Sequence, residues 1–103
     1  EATSMTLKEL QKEILENKKR QGFNTTDMNE EFCHLNAEVG EAYDAWFRDL
    51  ETFPEELADV AIFLLGIAEI NGIDLQTEIE KKVEINKNRK CEVNKLGHHV
   101  HQK

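Results

Sequence analysis

Residues 38–59, EVGEAYDAWFRDLETFPEELAD, contain two pairs of acidic residues, and the members of each pair are three positions apart. The first pair is Glu38 and Glu41 and the second is Glu56 and Asp59, with 14 residues between the pairs. Residues three apart lie on one face of an α-helix, so two facing helices would bring four carboxylates into one cup. Carboxylates about 4–5 Å apart repel by about 3–4 kcal/mol per pair at an effective dielectric constant of about 20. A divalent cation relieves that repulsion, and the predicted ion is Mg²⁺, with Mn²⁺ as the alternative.

The surroundings of these acids distinguish them from chance pairs, which are expected in a chain with 21 acidic residues out of 103. Asp59 is the only polar residue between Leu57 and Leu65. A lone carboxylate in such an apolar run must find a partner or become protonated. Gly40 interrupts an otherwise good helix pattern, at a cost of roughly 1 kcal/mol relative to alanine. A glycine at this position indicates that another group comes close to the backbone.

Local signals along the chain predict four helices. The sequence TLKE at residues 6–9 is a capping box that opens the first helix. Thr26 or Asp27 caps the second helix, and TFPE at residues 52–55 is a second capping box that opens the third. Asp74 caps the fourth. The chain is therefore predicted to be all-α, a four-helix bundle.

The apolar residues recur at helical spacing and predict which faces are buried. Residues 57–70 are apolar on nearly every face, which is typical of a central, buried helix. Short neighbouring helices cannot cover all of that surface, so we expect oligomerisation to complete the bundle, as a homodimer or homotetramer. The inward-facing residues predicted on the second helix are Phe32, Leu35, Val39, Ala42, Trp46 and Leu50, and those on the fourth are Leu75, Ile79 and Val83.

The composition argues against binding to nucleic acid or to a membrane surface. The net charge is −8 and basic residues are dispersed, which disfavours a nucleic-acid or membrane-surface partner. We find neither a signal peptide nor an apolar run long enough to span a bilayer. Cys33 and Cys91 are far apart, so free thiols in a reducing cytoplasm are expected. Residues 5–90 form the predicted domain, and residues 91–103, polar and aperiodic, form a predicted flexible tail.

The acidic motif is similar to that of a known family. Glu-x-x-Glu, 14 residues, then Glu-x-x-Asp resembles the motif of the MazG-like nucleotide pyrophosphohydrolases. That family also carries a Lys…Asn…Arg pattern on its last core helix, which matches Lys82, Asn86 and Arg89. The similarity extends over residues 7–90. Ala37 stands where many members have the first of two paired glutamates, which leaves open whether one or two metal ions bind.

The resemblance implies both an activity and roles for residues. It implies Mg²⁺-dependent hydrolysis of (deoxy)nucleoside triphosphates to nucleoside monophosphate and pyrophosphate, as house-cleaning of the nucleotide pool. The four acids would hold the metal, and one of them would act as general base. Lys82, Asn86 and Arg89 would hold phosphate oxygens. Trp46, or else Tyr43 or Phe53, would stack on the base, unless these aromatics serve only the core.

Two alternatives remain open. Phosphoribosyl-ATP pyrophosphohydrolase is a related all-α activity, which product analysis on that substrate would distinguish. A non-catalytic helical module, with a regulatory or interaction role, is the alternative from another class. Intact acids in both motifs favour the enzyme.

Overall fold

The computed structural model describes residues 4–89, 91–93 and 99–101, the last two segments in their backbone only. The described part contains the helices α1 (Leu7–Gln21), α2 (Met28–Phe47), α3 (Phe53–Ile70) and α4 (Leu75–Asn88). The strands β1 (Cys91–Val93) and β2 (His99–His101) pair antiparallel, with Cys91 opposite His101. The all-α prediction of four helices is confirmed. The tail predicted for residues 91–103 lies partly outside the described residues, and its flexibility stays a prediction.

Three of the predicted helix starts are formed as expected. The Thr6 hydroxyl accepts a hydrogen bond from the Glu9 N–H at 3.1 Å, and the Thr6 N–H donates to Glu9 Oε1 at 2.9 Å, which completes the capping box. Asp27, rather than Thr26, caps α2, where its Oδ1 accepts from the N–H of Asn29 at 3.0 Å. Asp74 caps α4 and accepts from the Thr77 N–H at 3.3 Å.

The second capping box, predicted at residues 52–55, is not formed. Thr52 precedes α3 with φ −78° and ψ −4°, and its side chain makes no capping hydrogen bond. A capping side chain reaches the free N–H groups of the first turn from an extended backbone, which Thr52 lacks. Pro54 lies in the first turn of α3 as predicted, where its missing N–H costs nothing.

Helices α2 and α3 form the central pair. The rings of His34 and Phe63 stack with their centroids 5.4 Å apart, and Glu38 approaches Asp59 one turn further along. Residue numbers rise on α2 as they fall on α3, so the two helices run antiparallel. Helix α1 packs against α3. The fully buried apolar residues come from α2 and α3 and are Ala42, Ala45, Leu65, Ile67 and Ala68.

Helix α4 packs mainly against α1, and one glutamine side chain fixes its start. Gln11 of α1 is buried, and its Nε2 donates to the Ile73 carbonyl at 2.8 Å and to Glu69 Oε1 at 3.1 Å. Its Oε1 accepts from the N–H of Leu75, the first residue of α4, at 3.0 Å. This network ties the end of α3 and the start of α4 to α1.

The predicted apolar stripes are largely uncovered in the single chain. Only Ala42 of the α2 stripe is fully buried, and Ile79 and Val83 of α4 are exposed. Helix α3 is buried at residues 65–68, whereas Leu57 and other apolar residues in its first half are exposed. The inward orientation predicted for the α2 and α4 stripes is wrong for the single chain, because α4 packs beside α1 and leaves these faces without a neighbour among the described residues. The incomplete cover of α3 agrees with the expectation that short neighbouring helices leave part of it bare.

Candidate metal and active site

The antiparallel pairing of α2 and α3 brings the predicted acids together. Carboxylate oxygens of Glu38, Glu56 and Asp59 all lie within 4.8 Å of one another. Glu41, one turn after Glu38, lies close enough to hydrogen-bond the Glu38 carboxyl when one of the two is protonated. The spacing of three residues places the two acids of each pair on one face of their helix. The register between α2 and α3 then brings the two pairs into contact.

Two carboxyl groups of this acidic cluster, those of Glu38 and Glu56, have a raised pKa. Burial raises the pKa of Glu38, and the hydrogen bond with Glu41 and the charges of Glu41, Asp59 and Glu56 raise it further. Burial also raises the pKa of Glu56, and the charges of Glu41, Asp59 and Glu55 add to the effect. Each cause disfavours the ionised carboxylate, so the cluster carries more negative charge than its surroundings stabilise.

A divalent cation fits this donor set. Within the part of the chain that the structure describes, Glu38 Oε2 is buried and has no hydrogen-bond partner. A buried carboxylate oxygen without a partner is costly, and a cation among three carboxylates would satisfy it. Carboxylate oxygens are the ligands preferred by Mg²⁺ and also suit Mn²⁺.

An open depression of about 480 Å³ adjoins the cluster at its Glu41 and Glu56 end. Gly40 lines this depression, and a Cβ atom added there would meet no described atom within 4 Å. The close approach predicted at Gly40 is therefore not made by a described part of the chain. The remaining lining residues are Ala37, Asp44, Ala45, Leu50 and Thr52.

The three residues predicted to hold phosphates lie on α4. Lys82 and Asn86 are exposed and Arg89 is half-buried. Among the described residues, none of the three lines the depression beside the acids or forms an ion pair with them. One chain thus assembles the four acids but does not bring the α4 residues to them.

Trp46 lies on another face of α2. Its ring is exposed and lies beside Tyr43, with the centroids 6.0 Å apart. Together with Phe53 these two rings line an apolar depression of about 440 Å³, which contains none of the four acids. The other residues lining it are Val39, Ala42, Leu57 and Val60.

Sequence reasoning missed an ion pair near the acids. Lys18 Nζ lies 2.6 Å from Glu31 Oε1, and Asn24 Nδ2 donates to Glu31 Oε2 at 3.0 Å. The same ammonium lies over the Phe63 ring, 5.1 Å from its centroid. Lys18 and Glu31 are on different helices, 13 positions apart, so no local spacing pointed to the pair. The one available signal was that Glu31 lies two turns before Glu38, on the same face of α2.

Comparisons with solved structures found a likeness over nearly the whole chain. No protein-family model and no curated protein matches the chain. Among solved structures, a similar chain is the cyanophage S-2L MazG-like pyrophosphohydrolase, bound to dGDP and three catalytic Mn²⁺ ions per active site. The two chains are 28% identical with a TM-score of 0.76, over 99% of this chain and 98% of the other. No helix in the described residues is both long and apolar enough to cross a membrane.

Proposed function

We propose that this chain, which is MazG-like in fold and sequence over its full length, is a nucleotide pyrophosphohydrolase. It hydrolyses (deoxy)nucleoside triphosphates to monophosphate and pyrophosphate, with Mg²⁺ or Mn²⁺ as cofactor. The observation that carries this proposal is the cluster of Glu38, Glu56 and Asp59, whose oxygens lie within 4.8 Å of one another and include a buried oxygen without a partner. The S-2L enzyme, with dGDP and Mn²⁺ bound, supports a nucleotide substrate and a divalent metal.

The acids have two tasks in this reaction. Glu38, Glu41, Glu56 and Asp59 hold the divalent metal between α2 and α3, and one of them accepts the proton of the attacking water. A divalent metal held by these acids would supply charge neutralisation for the polyphosphate, activation of that water and stabilisation of the charge on the leaving pyrophosphate. Water adds to phosphorus, the anhydride bond breaks, and pyrophosphate leaves. Three ions in the S-2L enzyme favour more than one ion here as well.

The remaining predicted residues require a second copy of the chain. Lys82, Asn86 and Arg89 present two cations and an amide at helical spacing, a set suited to phosphate oxygens. Within one chain α4 packs against α1, away from the acids. We propose that oligomerisation brings α4 of one copy to the acids of another. The same association would cover the exposed faces of α2 and α3, including Trp46.

The test is product analysis on a panel of ribo- and deoxynucleoside triphosphates with Mg²⁺ and, separately, Mn²⁺. The panel includes phosphoribosyl-ATP, to identify that related activity. Pyrophosphate and the monophosphate are the expected first products by phosphorus NMR and ion-exchange chromatography. Release of orthophosphate with a nucleoside diphosphate would contradict the proposal, as would a protein inert towards every nucleotide. The variant Asp59→Asn is the control for contaminating phosphatases.

A further inference from the structure

A second pocket, of about 230 Å³, opens between α1, α2 and α3 and is independent of the depression beside Glu41. We call it the aromatic pocket, and it is lined by Lys18, Phe23, Asn24, Glu30, Glu31, His34 and Phe63. It combines two exposed rings, those of Phe23 and His34, with a charged floor, so it offers both stacking and hydrogen bonding to a ligand.

The aromatic pocket lies next to the acidic cluster along both central helices. His34 is four residues before Glu38 on α2, and Phe63 is four residues after Asp59 on α3. Side chains four apart on a helix are neighbours, with Cβ atoms about 5–6 Å apart. A nucleotide whose phosphates lie at the acids can therefore place its sugar and base in the aromatic pocket, one helical turn away.

The walls of the pocket suit a flat ring. Phe23 is 55% exposed at the mouth, although it is a large apolar residue. His34 is half exposed and stacks on Phe63 with an angle of 24° between the ring planes. Aromatic side chains that present an open face bind nucleobases by stacking, whatever the base.

The floor of the pocket contains a cationic donor, the Lys18 ammonium. Asn24 uses both amide hydrogens, one on Glu31 Oε2 at 3.0 Å and the other on the Asp27 carbonyl at 2.8 Å. Glu31 is 1% exposed and so does not reach a ligand. The Lys18 side chain keeps 11% of its surface exposed, and its ammonium, which has three N–H donors, lies 2.6 Å from Glu31 Oε1. Glu31 is thus a positioning residue, and Lys18 is the group that meets a ligand.

We propose that the aromatic pocket holds the nucleobase and that Lys18 donates a hydrogen bond to an exocyclic carbonyl oxygen of the base. Bases with such an oxygen, as in guanine, hypoxanthine, thymine or uracil, would then be preferred over adenine, which presents an amino group instead. This inference rests on the proposed function and adds its base selectivity.

Two substrates isolate the effect of that oxygen. dITP and dATP share the purine skeleton, the sugar and the triphosphate, but only dITP carries an oxygen at C6. We expect kcat/KM to be about tenfold or more higher for dITP, as for a hydrogen bond to a charged group. In Lys18→Met/Glu31→Gln, which removes both charges together, the ratio of kcat/KM for dITP to kcat/KM for dATP should fall to about one.

A second pair of variants tests stacking and does not depend on the ion pair. Phe23→Ala should raise KM for both nucleotides by about fivefold to a hundredfold, as loss of base stacking does. Inhibition by inorganic tripolyphosphate, which has no base, should be unchanged. Phe32→Ala is the matched control, because Phe32 is 50% exposed on α2 and does not line the pocket.

The possible outcomes separate this inference from the proposed function. If the protein hydrolyses nucleotides but hydrolyses dITP and dATP at equal rates, the base-binding role of the aromatic pocket is overturned and the proposed function stands. The same holds if Phe23→Ala and Phe32→Ala have the same kinetics. If Phe23→Ala weakened the binding of tripolyphosphate as much as the binding of nucleotide, the base-binding role would also be overturned. A wild-type protein that neither hydrolyses nucleotides nor binds them by calorimetry with Mn²⁺ would overturn both.

Discussion

The Lys18 ammonium on α1 lies 2.6 Å from Glu31 Oε1 on α2, and the glutamate is 1% exposed. Removing one member of a buried pair leaves an uncompensated charge, which typically costs about 3–5 kcal/mol, whereas replacing both is often nearly neutral. We therefore expect Lys18→Met to lower the free energy of unfolding by about 3–5 kcal/mol and Lys18→Met/Glu31→Gln to lower it much less. Urea unfolding with a chelator present measures both. If the two variants were equally destabilised, the attraction between Lys18 and Glu31 would exceed the cost of removing both charges from water.

The same pair predicts a pH dependence of stability. Burial raises the pKa of Glu31, but hydrogen bonds from Lys18 and Asn24 and the lysine charge outweigh it and hold the pKa below its ordinary value of 4.5. Because the folded state binds this proton more weakly than the unfolded state, the stabilisation is present above about pH 4.5 and is lost as the pH falls through the folded pKa. Between pH 6 and about pH 3, wild type should lose more stability than Lys18→Met/Glu31→Gln. Parallel curves for the two proteins would contradict this.

Asp59→Asn should have opposite effects on stability and on activity. Without metal, it removes one repelling charge from the acidic cluster, so the free energy of unfolding at neutral pH should rise by up to about 1 kcal/mol. With metal, activity should collapse. The stabilisation by saturating Mg²⁺ or Mn²⁺ should also shrink, because the free energy of unfolding gained from the metal depends on how tightly the folded protein binds it. Thermal melts with a chelator and then with metal measure both effects.

The matched control is Asp49→Asn. Asp49 is exposed in the α2–α3 connection, and its φ of 54° is one that asparagine tolerates as well as aspartate. The Asp49→Asn substitution should change neither the melting temperatures nor the activity. An Asp59→Asn protein that was less stable without metal and still active would contradict the metal site.

Lys82→Ala and Arg89→Ala should slow turnover and leave metal binding nearly intact. Each side chain is proposed to bind phosphate, and a hydrogen bond to a charged group is worth about 1.5–3 kcal/mol, or roughly tenfold or more in kcat/KM. Calorimetric Mn²⁺ titration checks metal affinity. Lys87→Ala is the control on the same helix, since Lys87 is exposed and pairs weakly with Glu84 at 3.9 Å. Unchanged kinetics for both variants would place Lys82 and Arg89 on a solvated face.

The chain should be at least a dimer in dilute solution. Val39, Trp46 and Leu57 on the two central helices line one apolar depression and are 48%, 59% and 51% exposed, and contiguous exposed apolar side chains mark an interaction surface. Light scattering coupled to size exclusion should give a multiple of the 11.9 kDa chain mass. A monomeric mass together with a cooperative melt would contradict the prediction.

The sequence predicted the helices well because the relevant interactions are local. Thr6 and Asp74 cap helices through N–H groups three residues away, and both predictions are confirmed. Thr52 has the same sequence signal, but its side chain makes no capping hydrogen bond because its backbone is already helical. The motif also predicted a resemblance to the MazG-like pyrophosphohydrolases, and the likeness to the S-2L enzyme bears out that resemblance. That Glu38 and Glu41 share one face follows from helical spacing alone.

The sequence by itself determined where each helix begins, which acids share a face, and hence the fold class. Only the tertiary structure decided that Glu38 meets Asp59, that His34 stacks on Phe63, and that Lys18 pairs with Glu31. It also decided that α4 lies against α1, away from the acids. These contacts join residues on different helices, so they depend on the register and angle at which whole helices pack. That geometry is set by the summed burial of many side chains, which no short spacing in the sequence records.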